Sequence, residues 1–307
     1  MSLLHIFSCV ALLLAPNVLA VQQDTIKAKE GEEVGWWKLP SEIVAGDDDV
    51  CGFAWDGSQL WVGNNSYKKH NGKAYRLDIQ STKYGFTPPI TRTLDYSGNS
   101  VEGIDHDRNG HLYVGMRYTG SRSSACIVKY DDTTGKELKR YTAFDYPNGK
   151  SLCKNYADPD GVCLDLKGYL YWSSKGDHYK ECHPNVANTT VQMMSIGGKV
   201  KKRFWIPWYY ATSAYYTGYM IYKRGGRFNS EGHPSPEDRI DIVKIDGIKN
   251  NDTANILKTV QITGPHYYSD KRYLGATYFD NHLYLINQDT DPVHIIKIYL
   301  PLPPAGE

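Results

Sequence analysis

The sequence predicts an all-β protein, a five-bladed β-propeller closed by a strand that precedes the first blade. Three observations predict this fold. A hairpin pattern recurs five times, two further strand-like segments follow most copies, and the last copy lacks one segment that the chain ahead of the first copy can supply. Propellers are built from repeated four-stranded blades around a central axis, so this arrangement is the one expected of them.

Each copy of the hairpin joins two strand-like segments through a turn rich in Asp, Gly and Asn. In the second copy, for example, the segment 103–110 leads into His111-Leu-Tyr-Val114. The copies start about 50 to 60 residues apart, which suits four strands with variable loops. Their first residues are Gly52, Gly103, Gly161, Ser213 and Gly275.

A third and a fourth strand follow within the repeats. The third-strand candidates are 74–78, 126–130, 191–195, 241–245 and 294–298. The fourth-strand candidates are 91–94, 137–141, 200–204 and 257–260. The fifth repeat has no fourth strand of its own, so we expect Glu33–Leu39 to pair with Asp291–Leu300 and to bury Trp36 or Trp37. The alternative, a β-sandwich with coincidental spacing, leaves this match between distant segments unexplained.

The first 20 residues have the features of a secretory signal peptide. An apolar run from Phe7 to Leu14 precedes Asn17-Val-Leu-Ala20, which has the form of a cleavage site. A membrane anchor, the alternative, needs about 20 apolar residues, and this run is shorter. We therefore expect residues 1–20 to be removed and residues 21–307 to form a single propeller domain. That domain is predicted to be secreted and extracellular, with no membrane span.

Composition limits the partners and the cysteine chemistry. The formal net charge is +1, which argues against a general nucleic-acid binder. An oxidising compartment allows disulfides, and one cysteine, Cys9, leaves with the signal peptide. We predict a Cys153–Cys182 disulfide, because both residues lie in loops on one face of the third blade. Cys163, in the middle of a strand, is predicted to be a free thiol. The sequons predict glycosylation at Asn64, Asn188 and Asn251.

The hairpin also carries a resemblance to known propellers. The pattern Gly-x-x-x-Asp-x-x-Gly-x-Leu-Tyr-Val at 103–114 resembles the repeats of the SMP-30/gluconolactonase and NHL classes, which usually build six blades. The segment Ile295-Ile-Lys-Ile-Tyr-Leu-Pro301 looks like the last strand of the plant-type glutaminyl cyclases, which have five blades. The first-blade glutamate motif of that family is not matched at 61–65. The resemblance implies a propeller and leaves the activity open.

We expect a ligand site around the axis, on the face where the inner strands begin and the second strands end. Glu102 and Asp160 precede the repeat glycines of adjacent blades, so they are candidates for Ca²⁺ ligands or for a paired acid and base. Alternatively, each accepts backbone N–H bonds at the start of a strand. By this resemblance, Glu102 corresponds to the glutamate that is the first residue of the metal site in SMP-30-like enzymes. Cations at the ends of second strands, Arg117, Lys175 and Arg224, suit an anionic ligand unless they are ordinary surface charge.

Other candidates lie in the loops that join the strands. His178 and His266 are candidate proton carriers, and Tyr267 beside His266 is another. Trp208 is a candidate for stacking on a ligand, and Asn287 ends the last second strand. A loop histidine or an inter-blade tryptophan more commonly has a packing role.

Together these features predict a secreted propeller with one asymmetric axial site for an anionic or carbohydrate-like ligand. A lyase or a hydrolase is the expected class if it is an enzyme. The alternatives are a lectin-like or ligand-sequestering protein without turnover, and a protein-interaction module. Second-strand ends differ from blade to blade, which favours one asymmetric site over five equal ones.

Overall fold

The computed structural model describes most of the chain from Ala28 onward as five sheets, four of them with four strands and one with a short fifth strand. The described residues are 28–44, 49–65, 71–97, 100–117, 126–142, 161–165, 167–174, 188–207, 210–224, 239–267, 273–287 and 291–303. Strand neighbours within each blade are antiparallel. Among these residues, no helix has the length and apolar character needed to cross a membrane.

The five blades follow one another along the chain, and each runs from its inner to its outer strand, except that the outer strand of blade 5 precedes blade 1 in the sequence. Blade 1 contains β2 (Asp49–Trp55), β3 (Leu60–Asn65), β4 (Asn71–Leu77) and β5 (Ile90–Ser97). Blade 2 contains β6 (Ser100–His106), β7 (His111–Arg117), β8 (Cys126–Asp131) and β9 (Glu137–Tyr141). Blade 3 contains β10 (Gly161–Leu164), β11 (Tyr169–Ser174), β12 (Asn188–Ser195) and β13 (Val200–Pro207). Blade 4 contains β14 (Tyr210–Tyr216), β15 (Tyr219–Arg224), β16 (Arg239–Lys244) and β18 (Ile256–Gln261). Blade 5 contains β19 (Tyr273–Phe279), β20 (His282–Asn287), β21 (His294–Tyr299) and β1 (Glu33–Lys38).

The inner strands contact one another in a closed cycle, from β2 through β6, β10, β14 and β19 back to β2. This cycle confirms the predicted five-bladed propeller, because a sandwich would stack two sheets face to face. A short strand, β17 (Asp252–Thr253), also pairs in parallel with β13 at the outer edge of blade 3, which the repeat pattern did not predict.

Strand β1 closes the ring by pairing antiparallel with β21, as predicted. Trp37 lies opposite Ile295, and Lys38 lies opposite His294. Of the two tryptophans, Trp37 is buried, and its indole N–H donates to the carbonyl oxygen of Thr82 at 3.0 Å. The closing strand therefore satisfies the outer edge of blade 5 and packs its side chain against the neighbouring blade.

The hairpins share a similar shape for a local reason, which is the hydrogen bonding of the aspartates in their turns. Asp165 accepts hydrogen bonds from the backbone N–H groups of Lys167 at 2.9 Å and Tyr169 at 2.7 Å. Asp56 does the same for Gln59 at 2.8 Å and also receives the Arg76 guanidinium at 2.6 Å. An aspartate at this position holds the turn by pairing backbone donors that the turn leaves free.

The repeat glycines let neighbouring inner strands approach to backbone contact. Gly52 has a φ of +75°, and a Cβ there would lie 2.5 Å from the backbone nitrogen of Ile104 in blade 2. A Cβ on Gly275 would lie 3.0 Å from the carbonyl carbon of Gly52, and one on Gly161 would collide with the hydroxyl of Ser213. We call this ring of close approach the glycine neck.

The glycine neck divides the axis into two ends. At the upper end the inner strands begin and the second strands finish. At the lower end the inner hairpins turn. The predicted ligand site belongs to the upper end.

Candidate functional site

The upper end of the axis carries buried polar side chains at the ends of the second strands. Asn65 is fully buried and its amide nitrogen lies 3.5 Å from a carboxylate oxygen of Glu102, which links blade 1 to blade 2. Ser174, Lys223 and Asn287, near the ends of β11, β15 and β20, are also buried. Glu102 and Asn287 are candidates predicted from the sequence, and Asn65, Ser174 and Lys223 are further buried polar residues at this end of the axis.

Two of these polar side chains have an atom that is able to form a further hydrogen bond. Within the described residues, the amide oxygen of Asn65 and the hydroxyl of Ser174 are buried and have no hydrogen-bond partner. Leaving such a group unsatisfied costs about 1–3 kcal/mol, so folded proteins usually pair it with a neighbour, a water or a ligand. The upper end therefore contains a buried acceptor and a buried donor that no described residue pairs.

The cationic candidates are only partly described. Arg117 is the last residue of β7 and Arg224 is the last residue of β15, so their backbones reach the upper end, but their side chains are not described. The remaining predicted residues lie outside the described residues. These are Asp160, Lys175, His178 and Trp208, together with Cys153 and Cys182 of the predicted disulfide. Their convergence on one pocket, and the disulfide, remain predictions.

His266 lies against the closing strand. Its Nδ1 atom is 2.7 Å from a carboxylate oxygen of Glu33, and its backbone N–H donates to the other oxygen at 2.9 Å. The ring stacks on Trp36 at 4.1 Å and meets His294 edge-on at 5.4 Å. The described contacts of this side chain therefore belong to the outer strands of blade 5.

Tyr267, next to His266, contacts Lys223 near the end of β15 instead. The Lys223 ammonium lies 5.7 Å from the centre of the Tyr267 ring. A cation at that distance is attracted to the ring face. Of the two neighbouring candidates, Tyr267 is the one that contacts a residue of the buried polar group.

The glycosylation sequons differ in exposure. Asn64 is 2% exposed, and its side-chain amide donates to the carbonyl oxygen of Ile43. Asn251 is exposed in a turn. The backbone of Asn188 begins β12, and its side chain is not described. In the folded chain Asn251 thus offers an accessible amide, whereas that of Asn64 is already used inside the protein.

Cys126 and Cys163 are free thiols inside the propeller. Cys163 is buried as predicted, with its sulfur 3.4 Å from the hydroxyl of Ser213. Burial raises the pKa of the Cys163 thiol well above its usual range. Burial also raises the pKa of Cys126, although the Arg140 guanidinium lies 3.1 Å from its sulfur. The described residues contain no disulfide and no group of three or more His, Cys, Asp or Glu residues arranged to hold a metal ion.

A cavity that the sequence analysis missed opens at the lower end of the axis. It encloses about 230 Å³ and takes walls from the inner strands of all five blades, including Trp55, Asp105, Cys163, Tyr215 and Tyr278. The floor lies at the glycine neck, since Ser213 also lines it. This cavity is therefore distinct from the polar group at the upper end.

Asp105 is the polar centre of this cavity. One carboxylate oxygen accepts the backbone N–H of His106 at 2.8 Å, and the other accepts that of Leu164 at 2.7 Å. Asp105 is partly accessible, but protein atoms surround it and its open side lies in the cavity. This burial outweighs the two hydrogen bonds and raises the pKa of the Asp105 carboxyl to about 7.

The five repeats, compared with one another, contain a feature that distinguishes Asp105. In the second strands, Trp61, Tyr113, Tyr171, Ile221 and Tyr284 occupy equivalent positions, and the inner-strand residues that pair with them are Ala54, Asp105, Cys163, Ala214 and Thr277. Four of the five are small or weakly polar, and one is an acid. A single ionisable residue at an otherwise small position marks a candidate site.

Comparison with known proteins assigns no family to the chain. No protein-family model matches the chain, and no curated protein matches it. Among solved structures, the chain is similar to BamB from Moraxella catarrhalis, with 12% identity and a TM-score of 0.35 over 81% of this chain and 59% of that chain. It is also similar to Raptor from Chaetomium thermophilum, with 8% identity and a TM-score of 0.42 over 83% of this chain and 24% of that chain. The chain spans less than two thirds of either protein.

Proposed function

We propose that this propeller is a secreted protein that binds one polar small ligand, carbohydrate-like or anionic, at the upper end of its axis. The observation that supports the proposal is the pair of buried, unpartnered atoms, the Asn65 amide oxygen and the Ser174 hydroxyl, on the same face as Glu102. A ligand with several hydroxyl groups would pair these atoms and recover the free energy that their burial costs.

The mixture of side chains favours this ligand class. Amide, hydroxyl and carboxylate groups both donate to and accept from sugar hydroxyls. The Lys223 ammonium, with Arg117 and Arg224 at the ends of their strands, supplies positive charge for an acidic group on the ligand. Because each blade presents a different residue, one ligand is expected to bind across the axis.

The resemblance of the hairpins to the SMP-30/gluconolactonase and NHL repeats is consistent with an axial site that includes Glu102. We propose binding rather than lyase or hydrolase chemistry. His266, one of the proton carriers considered, is held by Glu33 and Trp36 at the outer strands of blade 5. Tyr267, beside Lys223, is the described candidate that would move a proton if turnover occurred.

The test uses the secreted mature protein and a panel of neutral sugars, uronic acids and sulfated sugars, measured by calorimetry. Glu102→Gln and Asn65→Ala are expected to weaken binding at least tenfold, as expected when a buried hydrogen bond to a ligand is lost. Glu42→Gln, at an exposed turn position, is the control and should bind normally. Unchanged affinity in both upper-end variants would overturn the proposal, and product formation during the assay would identify an enzyme.

A further inference from the structure

The cavity at the lower end of the axis lies on the far side of the glycine neck from the proposed sugar-like ligand. Its volume is about 230 Å³, and its lining residues belong to the described part of the chain. Pockets of this size hold only a small molecule. The question is which chemistry the lining residues suit.

The side chains around this cavity carry an excess of negative charge. Asp105, Asp107 and Asp165 line it, and the cationic side chains among its lining residues are Arg108 and, when protonated, His106. Asp165 is engaged by the N–H groups of its own turn. An excess of carboxylates in a partly enclosed space favours cations over anions.

Asp107 and Asp105 differ in the partners that they already have. Asp107 lies 2.7 Å from His111 and 3.7 Å from the Lys129 ammonium. Among the described residues, Asp105 has only the backbone N–H groups of His106 and Leu164 within hydrogen-bond distance. Each of its oxygens therefore keeps a further lone pair for another donor.

Aromatic rings from four blades complete the wall. Trp55 comes from blade 1, Tyr113 from blade 2, Tyr215 and Tyr216 from blade 4, and Tyr278 from blade 5. The Tyr216 and Tyr278 rings pack with their centres 4.6 Å apart. Aromatic walls attract a cation and cover the alkyl part of an organic ligand.

We propose that the lower cavity binds a small organic cation with a primary ammonium group, with Asp105 as its counter-ion. A primary ammonium donates three hydrogen bonds and brings a positive charge to this carboxylate. The aromatic rings contact the remainder of the ligand. This site is independent of the one proposed at the upper end.

The competing explanation is that Asp105 serves only to pair the Leu164 N–H in a water-filled channel. The other blades argue against that explanation. Ala54, Cys163 and Thr277 occupy the equivalent position without an acid, and their inner strands pack around the same axis. An acid is therefore not a requirement of the fold, and burying one is costly unless a cation accompanies it.

Binding of a cation should release a proton near neutral pH. The pKa of the Asp105 carboxyl is about 7, so a large share of the free protein holds a proton there. An ammonium ligand favours the ionised carboxylate and displaces that proton. The other titratable and charged groups facing Asp105 are Arg108, Asp107, Asp165, His106 and Cys163.

Isothermal titration calorimetry with n-butylammonium and its neutral counterpart 1-butanol tests the proposal on the whole mature protein. We expect butylammonium to bind at least tenfold more tightly than 1-butanol. Its affinity should rise about tenfold per pH unit below pH 7 and level off above it. Buffers of different ionisation enthalpy should report release of about half a proton per bound ligand at pH 7. Equal affinity for the two probes, or no binding of butylammonium at millimolar concentration, would overturn the proposal.

Asp105→Asn supplies a second test. This variant should lose the preference for the charged probe and the proton release, while Asp95→Asn, an exposed residue of β5, should keep both. Retention of the preference in a folded Asp105→Asn protein would also overturn the proposal. If that variant does not fold, the comparison of the two probes on the unmodified protein decides the matter.

Discussion

The carboxylate of Asp105 in blade 2 accepts the backbone N–H of Leu164 in blade 3 at 2.7 Å. The edge of an inner strand that faces the axis has no further strand to pair with, so its donors need other partners. This bond therefore ties two blades together across the axis, and it depends on a side chain that titrates near neutral pH.

The first prediction concerns the pH dependence of stability. Burial raises the pKa of Asp105 from 3.8 to about 7, so the folded chain holds this proton more tightly than the unfolded chain. The contribution of Asp105 to the free energy of unfolding is then full below about pH 4 and is lost as the pH rises through 7, on the order of 4 kcal/mol at most. Asp105→Asn should flatten this decline between pH 5 and pH 8, measured by urea unfolding in phosphate without organic amines.

Asp56→Asn is the matched control for that measurement. Burial raises the pKa of Asp56, but hydrogen bonds from Arg76, Gln59 and Ser58 outweigh it and lower the pKa to about 2. Its contribution is present above about pH 4 and is lost only in acid, so Asp56→Asn should leave the slope from pH 5 to pH 8 unchanged. Equal slopes in the unmodified and the Asp105→Asn proteins would contradict the first prediction.

The second prediction concerns the contact between Glu33 and His266. The Glu33 side chain is 2% exposed and accepts both the ring and the backbone N–H of His266. Glu33→Gln should lower the free energy of unfolding by about 1–3 kcal/mol, because one buried hydrogen bond is lost. Denaturant titration measures the change, and the exposed Glu42→Gln should unfold like the unmodified protein. A loss in Glu33→Gln no larger than that of the control would show that the contact is not stabilising.

The third prediction concerns ring closure. Removing residues 21–40 deletes β1, exposes the edge of β21 and removes Trp37 from its buried position. The truncated protein should lose its cooperative thermal transition, because blade 5 is left with an unpaired strand edge. A shorter truncation that stops before Ala28 should retain the transition. An unchanged melting temperature after the longer deletion would refute the role of β1.

The fourth prediction concerns the thiols. Cys126 and Cys163 are 2% and 1% exposed, and burial raises the pKa of both. Thiolate is the reactive form, so both should resist alkylation in the native protein and react after denaturation. Mass mapping of alkylated peptides measures this, and the same map tests whether Cys153 and Cys182 are joined. Rapid native labelling at Cys163 would contradict its position beside Ser213.

The blades could be predicted from sequence because each hairpin depends on local chemistry. The alternation of apolar residues, the turn aspartates such as Asp165 and the repeat glycines recur at fixed offsets. Pairing of β1 with β21 followed from one missing strand. By contrast, the position of His266 depends on the β-bridge between Glu32 and Thr263, which joins blades 4 and 5. The spacing of the repeats in the sequence does not predict this contact.

The lower cavity could not be predicted for a related reason. Its floor is the glycine neck, so its existence depends on how closely five inner strands approach, as with Gly52 and Ile104. The sequence presents Asp105 as one of several polar residues near a turn. Only the packing of blades 2 and 3 shows that Asp105 differs from Asp107. Asp107 is held by His111 and by its own turn.

The pairing of β1 with β21 also constrains how the protein is made. Translation produces β1 before any blade exists, and its partner is the last described strand to leave the ribosome. The strand that contains Trp37 therefore has no partner strand while four complete blades are synthesised. Folding before that moment can yield an open arc but not a ring, and pairings between such distant segments form slowly. A chain released early by truncated translation would display the free edges of its first and last blades, which makes it a ready target for chaperones and for degradation.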